Sequence, residues 1–367
     1  MAVNHYQGAR AALYDPSLPA MLRRLAQSHP GRPILRRQEG TAWRAIAWAD
    51  LAARVEEATL ATRMVGLGAG QVGCLLSAAR VECVEAEFGL LSLGAIVAAI
   101  DPAAAAARVG AMLRITGATL IFVEDALQLG KVLAVRETCP ALRRIVVFDA
   151  ASVETLDDPM CQSFEDFMTM GAEQARFLPG LWPAFVAARG PEETALLVDA
   201  GWSGTAPQLA MLSHRAVLSQ AAQCALMLGQ KASDTRLAMA PLSDMVEHVQ
   251  GLFQSLVSET ETWFAADPSR ALSAVRPSVL VASSGRWAGL LAQTRATEEG
   301  GGWLRRAWRR GLARLTGQGL AGLRLAVVGD PLPVPEIVRD AALRGVALHQ
   351  LVGPPAAAGV LAWAAPG

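Results

Sequence analysis

The chain has 367 residues, of which 52% are hydrophobic and 18% are charged, and its formal net charge is zero. This length and apolar content suffice for a large buried core and about two compact units. The balanced charge argues against a nucleic-acid partner, because binding to nucleic acid requires a basic excess.

The cysteines and the apolar runs favour a cytoplasmic protein. Five cysteines occur without a CxxC pair or a Cys/His cluster at ligand spacing, which predicts reduced thiols and no metal centre. Residues 1–14 are polar and mixed, unlike a signal peptide. The longest apolar run, residues 88–100, is too short to cross a bilayer. We interpret it as a buried helix that leads into a strand.

Periodicity predicts alternating helices and strands through the first 150 residues. An amphipathic helix is predicted over residues 16–30, with its leucines and a methionine on one face. The strands predicted after it are 43–48, 72–77, 94–100, 119–123 and 144–148. The helices predicted between them are 50–65, 80–93, 103–116 and 127–138. This alternation indicates βαβ units and a parallel sheet.

Residues 151–191 are more polar and are interpreted as a connection between subdomains. The prediction is therefore a first α/β subdomain with its connection, residues 1–190, and a second α/β subdomain, residues 191–367. A helix is predicted over 214–228. The strands predicted in this half are 195–198, 236–239, 262–265, 279–281, 325–328 and 347–351.

Six stretches resemble, in order, segments of the adenylate-forming (AMP-binding) superfamily, and one of them is similar to long-chain acyl-CoA synthetases in particular. Each is weak alone, but chance is a poor explanation for six in the right order over about 300 residues. The resemblance implies the family's N-terminal domain, with two stacked βαβ subdomains and an acyl pocket in the second. The stretches are residues 48–55, 94–102, 116–133, 211–215, 240–253 and 323–329.

The resemblance places the family's phosphate loop at residues 200–209. Such a loop is rich in Ser, Thr and Gly and ends in Pro-Lys-Gly, so that backbone N–H groups, hydroxyls and a lysine hold the ATP phosphates. One alignment replaces a loop glycine with Trp202, and the other deletes two residues before Pro207. The residues that resemble the loop's Ser-Gly-Thr are Ser203, Gly204 and Thr205.

The loop has no cation, because Gln208 stands at the lysine position. A neutral amide cannot replace a lysine beside a triphosphate, and the loss of such a charged partner costs roughly 2–5 kcal/mol. The sequence therefore predicts a structural turn between a strand and a helix rather than a working ATP loop.

The family's second nucleotide motif, Gly-Tyr-Gly-x-Thr-Glu, aligns with residues 351–360. Gly353 is retained, whereas Pro355 stands at the threonine position and Ala356 at the glutamate position. Magnesium requires oxygen ligands, and alanine offers none from its side chain. ATP and Mg²⁺ are thus cofactors by resemblance only, no catalytic residue is assigned, and whether the chain is an enzyme stays open.

Family members continue beyond this motif with a mobile domain that carries a catalytic lysine, whereas this sequence stops at Gly367. A truncated gene, a pseudoenzyme and a subunit completed by another chain would each account for this. Two functions follow. The first is a non-catalytic protein that binds an acyl chain or an acyl-adenylate and regulates or partners an active synthetase. The second is an active fatty acid–CoA ligase, either by itself or completed by a second chain. A decayed gene product without a function is a third alternative.

Three further features of the sequence allow either a functional or a structural interpretation. Asp244 stands where relatives have His, and its neighbours Glu247 and His248 could form an acid–base pair or a solvated helix face. His214 begins the helix at 214–228, where packing or capping is expected. The basic, Trp-containing stretch 303–315 fits either a surface helix docked on the core or a helix lying on an anionic membrane.

Overall fold

The computed structural model describes residues 7–154, 156–299, 320, 322–329, 335–343, 346–353 and 362–364. These residues form two mainly parallel β-sheets with helices around them, which confirms the predicted α/β fold. The seven-stranded first sheet has the order β7-β6-β5-β3-β4-β8-β9, and the eight-stranded second sheet has the order β15-β14-β13-β12-β10-β11-β1-β2.

The strands of the first sheet are β3 (Val72–Leu76), β4 (Ile96–Ile100), β5 (Leu120–Val123), β6 (Arg144–Val147), β7 (Cys161–Ser163), β8 (Thr194–Ser203) and β9 (Ala206–Ser213). Those of the second sheet are β1 (Pro33–Glu39), β2 (Ala42–Ala47), β10 (Thr235–Leu237), β11 (Glu261–Phe264), β12 (Val279–Ser283), β13 (Leu325–Gly329), β14 (Leu348–Val352) and β15 (Ala362–Ala364).

The described α-helices are α1 (Gln7–Ala12), α2 (Leu18–Ser28), α3 (Trp48–Met64), α4 (Val81–Leu93), α5 (Ala106–Thr116), α6 (Ala126–Leu133), α7 (Phe164–Phe177), α8 (Leu181–Ala187), α9 (His214–Leu228), α10 (Gln254–Val257), α11 (Pro268–Val275), α12 (Ser284–Glu299) and α13 (Pro335–Leu343). A π-helical segment, Val246–Phe253, runs directly into α10. Among these helices none is both long and apolar enough to cross a membrane.

The two sheets share one topology. In each, five parallel strands have the order 2-1-3-4-5, counted along the chain from β3 in the first sheet and from β10 in the second. Crossovers that contain helices of at least one α-helical turn connect them, except between β6 and β7, where the described part of the connection contains only the short 3-10 helix Ala150–Ser152. In such sheets the connections that leave strands 1 and 3 diverge and leave a crevice at the carboxyl ends of the strands.

Each sheet also takes strands from the other half of the chain. The hairpin of β1 and β2 pairs with β11 in the second sheet, and β8 and β9 extend the first sheet beside β4. Sheet membership therefore crosses residue 190, and the division into 1–190 and 191–367 stays a prediction. Strand β1 is not predicted from sequence because Arg36 and Arg37 read as polar, yet they pair with Glu261 and Glu82 from distant parts of the chain.

The polar stretch 151–191 contains β7, α7 and α8, so it is more than the predicted connection. Ser163 is the N-cap of α7, because its hydroxyl accepts a hydrogen bond from the backbone N–H of Asp166. The helix buries Phe164 and Phe167 against Phe122 of the first sheet. The acidic residues around this short apolar face make the stretch look polar in the sequence.

The predicted burial of the run 88–100 is confirmed. Every residue of α4 is buried except Glu82, which is partly exposed, and the helix ends at Gly94 with φ +87°, where a side chain would be strained. The chain then enters β4, at the centre of the first sheet. Helix α4 thus lies inside the molecule rather than on its surface.

Candidate functional site

A cleft of about 720 Å³ opens where the two sheets meet. Its wall from the first sheet is the end of β4 with the loop that follows, including Ile100 and Asp101. Its wall from the second sheet contains Asp244, in the loop after β10, and Ser283, at the end of β12. Strands β10 and β12 are strands 1 and 3 of the second sheet, so the cleft occupies the crevice in which ligands of such sheets usually bind.

The cleft has mixed charge. Its ionisable lining groups are three carboxylates and two guanidinium groups, so negative charges outnumber positive ones. Apolar side chains fill much of the remaining wall beside β4 and α5. The charged groups are Asp101, Asp199, Asp244, Arg108 and Arg286.

Asp244 joins the cleft to the π-helical segment. Its Oδ1 accepts hydrogen bonds from the backbone N–H groups of Val246, at 3.0 Å, and Glu247, at 3.3 Å. Burial raises the pKa of this carboxyl, while the two backbone donors and the nearby Arg286 act in the opposite direction. The carboxylate is therefore held in one orientation at the cleft wall.

Trp202 forms the wall on the side of the β8–β9 hairpin. Its indole Nε1–H donates to Asp199 Oδ2 over 2.7 Å, and the Arg108 guanidinium lies 4.4 Å from its ring centre. The other Asp199 oxygen accepts from the backbone N–H of Gly201 over 2.8 Å. These contacts fix the indole against α5 by a cation–π interaction and a hydrogen bond.

The phosphate-loop residues form the tip of this hairpin. Ser203 pairs with Ala206, which leaves Gly204 and Thr205 as a two-residue turn, and Gly204 has φ +62°. Glycine at the first central position is typical of tight hairpin turns. A turn is present at the predicted place, but it joins two strands and α9 begins only after β9, so the predicted connection of a strand to a helix is wrong. The sequence does not predict β9, because residues 200–209 align with the family's phosphate loop.

None of the three tip residues lines the cleft, and Gln208 does not either. Ser203, Gly204, Thr205 and Gln208 are all exposed, and Gln208 pairs across the hairpin with Gly201. Strand pairing engages the backbone on both sides of the turn, in contrast to an open loop whose N–H groups point at an anion.

The second nucleotide motif is only partly described. Gly353 follows β14 directly and is half-buried. Pro355 and Ala356 lie outside the described residues, as does the basic stretch 303–315. Within the described part of the chain, no three His, Cys, Asp or Glu side chains come together as a metal site.

The expectation of a solvated face at Glu247 and His248 is wrong, and so is their pairing with each other. Glu247 is 1% exposed and binds Arg236 Nη1 over 2.5 Å. His248 is 2% exposed, and its Nε2 lies 2.6 Å from Oε1 of Glu87. The segment passes between the sheets, so its polar side chains meet charged partners from other elements.

His214 packs inside the protein, as predicted. It is 1% exposed, and its Nδ1 accepts from the backbone N–H of Leu18 at 3.4 Å, which ties α9 to α2. Burial, with a contribution from Arg189, lowers the pKa of the imidazole to about 4. The neighbouring Ser213 is the N-cap of α9.

Known proteins share this architecture. Residues 22–365 match the profile of the AMP-binding enzyme family. A Drosophila melanogaster protein, long-chain-fatty-acid–CoA ligase heimdall, is 24% identical over 220 residues, which is 58% of this chain and 32% of that protein. The chain thus spans about a third of the length of this relative.

Solved structures show the same fold. The anthranilate CoA ligase AuaEII, in complex with anthranoyl-AMP, has a TM-score of 0.75 and 19% identity, with 96% of this chain and 61% of that chain covered. The adenylation domain of a carboxylate reductase from Mycobacterium chelonae has a TM-score of 0.78 and 17% identity, covering 95% and 60%.

The N-terminal domain of FACL13 from Mycobacterium tuberculosis, in an inhibitor-bound structure, has a TM-score of 0.70 and 14% identity and is covered over 79% of its length. Identities this low show a common fold. The family profile, in contrast, matches nearly the whole sequence. Together with the two sheets of equal topology and the cleft between them, this match shows that the chain belongs to the AMP-binding enzyme family.

Proposed function

We propose that this chain is an acyl-binding member of the AMP-binding family that does not carry out ATP-dependent adenylation by itself and acts as a partner or regulator of an active synthetase. One observation carries the proposal. The residues at the phosphate-loop position form the exposed tip of a paired hairpin. Gln208 carries no charge and does not line the cleft.

The energetics of a triphosphate support this proposal. Phosphoryl transfer is catalysed mainly by positioning and by cations that offset the charge on the transferring group. The cleft instead has more carboxylates than guanidinium groups, and the two arginines are exposed. The described residues of the cleft therefore do not fit a magnesium-bound triphosphate.

One wall of the cleft suits an acyl ligand. A volume of about 720 Å³ lies within the range of small-molecule sites, and the wall beside β4 and α5 is lined by apolar side chains. Relatives named as ligases of a long-chain fatty acid, anthranilate and benzoate all act on carboxylic acids by their names. The apolar residues of that wall include Ala99, Ile100, Ala104 and Met112.

ATP–pyrophosphate exchange tests the proposal. The chain is assayed with Mg²⁺ and fatty acids of several lengths, and an active long-chain fatty acid–CoA ligase is assayed in parallel as a positive control. We expect no exchange above background from this chain. Displacement of a fluorescent fatty acid, measured on the same preparation, is expected to show saturable binding.

The alternative function is an active ligase completed by another chain, and the same assay separates it from our proposal. Exchange by the isolated chain would refute the absence of adenylation. Exchange that appears only when a synthetase or a separate C-terminal domain is added would favour completion by that partner. Absence of any fatty-acid binding would remove the acyl-binding part of the proposal.

A further inference from the structure

Trp202 is turned into the cleft by an irregularity in strand β8. The pairing register of the β8–β9 hairpin shifts between Asp199 and Gly201, which leaves Ala200 as an extra residue opposite β9. In a regular strand Asp199 and Trp202 would lie on opposite faces, because side chains alternate along a strand. The bulge brings both to one face, where the Trp202 Nε1–H donates to Asp199 Oδ2 over 2.7 Å. Gly201 has φ +131°, which a residue with a side chain rarely adopts.

The indole is held in place from two directions. The Arg108 guanidinium of α5 lies 4.4 Å from its ring centre, and Asp199 accepts from its N–H group. Asp199 is itself fixed, because its Oδ1 accepts from the backbone N–H of Gly201 over 2.8 Å. Trp202 is therefore a fixed part of the cleft wall, and moving it aside would break a hydrogen bond and a cation–π contact.

Trp202 also lies at one end of the apolar wall of the cleft. Ile100 from β4 and Met112 from α5 line the cleft, and each is 3% exposed. Trp202 packs against the same hydrophobic cluster to which these two residues belong. Beyond the indole the hairpin continues only to its exposed tip, residues 203–205. The apolar surface from β4 and α5 is thus closed by an aromatic side chain from a third element.

We propose that Trp202 limits the length of the acyl chain that the cleft accepts, with the chain lying along Ile100 and Met112 and its methyl end against the indole. This inference rests on the proposed function, since it names the residue that selects among acyl ligands. Each methylene that finds apolar surface strengthens binding about fourfold. A methylene that meets a fixed side chain has no such gain and is opposed by overpacking.

Competition assays with saturated fatty acids test this inference. Hexanoate to tetradecanoate, in steps of two carbons, displace a fluorescent fatty acid from the full chain. We expect the affinity of the wild type to rise about fourfold per methylene up to a limiting length and then to level off or fall. Trp202→Ala should lengthen this limit by about two methylenes or more, so that the first acid beyond the wild-type limit binds at least about tenfold more tightly to the variant.

Two further variants separate the indole from general effects on the hairpin. Trp202→Leu keeps an apolar contact with the core and should also lengthen the limit. Met211→Ala is the matched control, because Met211 lies on β9 of the same hairpin, is 70% exposed and does not line the cleft. The control should have the limiting length of the wild type.

The outcomes distinguish this inference from the proposed function. An unchanged limit in both Trp202 variants, or a wild-type affinity that rises across the whole series, would overturn the role of Trp202 while acyl binding stands. Absence of binding by every acid would refute the acyl-binding function and this inference with it. ATP–pyrophosphate exchange is a separate readout, so active adenylation would refute the proposed function without altering the limiting length.

Discussion

Glu87 Oε1 and His248 Nε2 lie 2.6 Å apart, in a contact that joins the helix packed under the first sheet to the π-helical segment of the second. Glu87 is 0% exposed and His248 2% exposed, and the imidazole stacks on Phe253 at 5.1 Å. A carboxylate at this depth is stabilised only by an adjacent hydrogen-bond donor or cation, so each side chain depends on the other.

Loss of one member of this pair should strongly destabilise the folded protein. His248→Leu leaves the Glu87 carboxylate buried without its partner, and we expect the free energy of unfolding to fall by about 3–5 kcal/mol. Urea denaturation followed by circular dichroism measures the change. The double variant Glu87→Leu/His248→Leu removes the buried charge as well, and it should be more stable than His248→Leu. A double variant less stable than either single variant would contradict this explanation.

The buried ion pair of Arg236 and Glu247 leaves no space for a side chain at Gly251. A Cβ at this position would lie 2.7 Å from Arg236 Nη1 and 3.1 Å from Glu247 Oε1. We therefore expect Gly251→Ala to lower the free energy of unfolding by about 1–3 kcal/mol through overpacking. Gly130→Ala is the matched control, because Gly130 is an exposed helical glycine with open space around it. The control should be neutral or stabilise by up to about 1 kcal/mol, and equal effects of both changes would refute the role of the pair.

His214 should make stability depend on pH. Its pKa is lowered from 6.5 to about 4 in the folded protein, so between these values the unfolded chain binds a proton that the folded chain does not. Stability from this group is fully present above pH 6.5 and is lost as the pH falls toward 4, by about 3 kcal/mol in total.

Urea denaturation of the wild type and of His214→Gln at pH 7.5, 6, 5 and 4.5 isolates this contribution. The difference in the free energy of unfolding between the two proteins should narrow as the pH falls, because glutamine does not titrate. A gap that stays constant over this range would show that the imidazole is protonated in the folded protein or is not buried.

Restoring the loop cation alone should not restore adenylation. Gln208→Lys returns the family residue, but position 208 is exposed on β9 and does not line the cleft. We expect ATP–pyrophosphate exchange to stay at background and the free energy of unfolding to change by less than about 0.5 kcal/mol. Gln27→Lys, on the exposed face of α2, is a control for added charge. Exchange in Gln208→Lys alone would show that the hairpin can act as a phosphate loop.

The alternation of strands and helices could be read without the structure. Strands β3 to β6 and helix α4 follow local periodicity, and the structure confirms each of them within a few residues. The paired hairpin of β8 and β9 could not be read in this way. Its register brings Trp202 opposite Pro207, and strand pairing depends on which segments meet in space rather than on local pattern.

The buried charged residues also could not be recognised from the sequence. Arg236, Glu247, Glu87 and His248 look like surface residues in the sequence, because charged side chains are seldom fully buried. Each is buried here because its partner comes from another element, 11 residues away for Arg236 and Glu247 and 161 residues away for Glu87 and His248.

The sequence by itself determined the α/β class, the family resemblance and the absence of a lysine at position 208, because these depend on local periodicity and on residue identity. Only the tertiary structure decided that the loop residues close into a hairpin outside the cleft and that Asp244 lines the cleft. Sheet pairing and burial are set by contacts between distant segments, and these change the environment of a side chain without changing its identity.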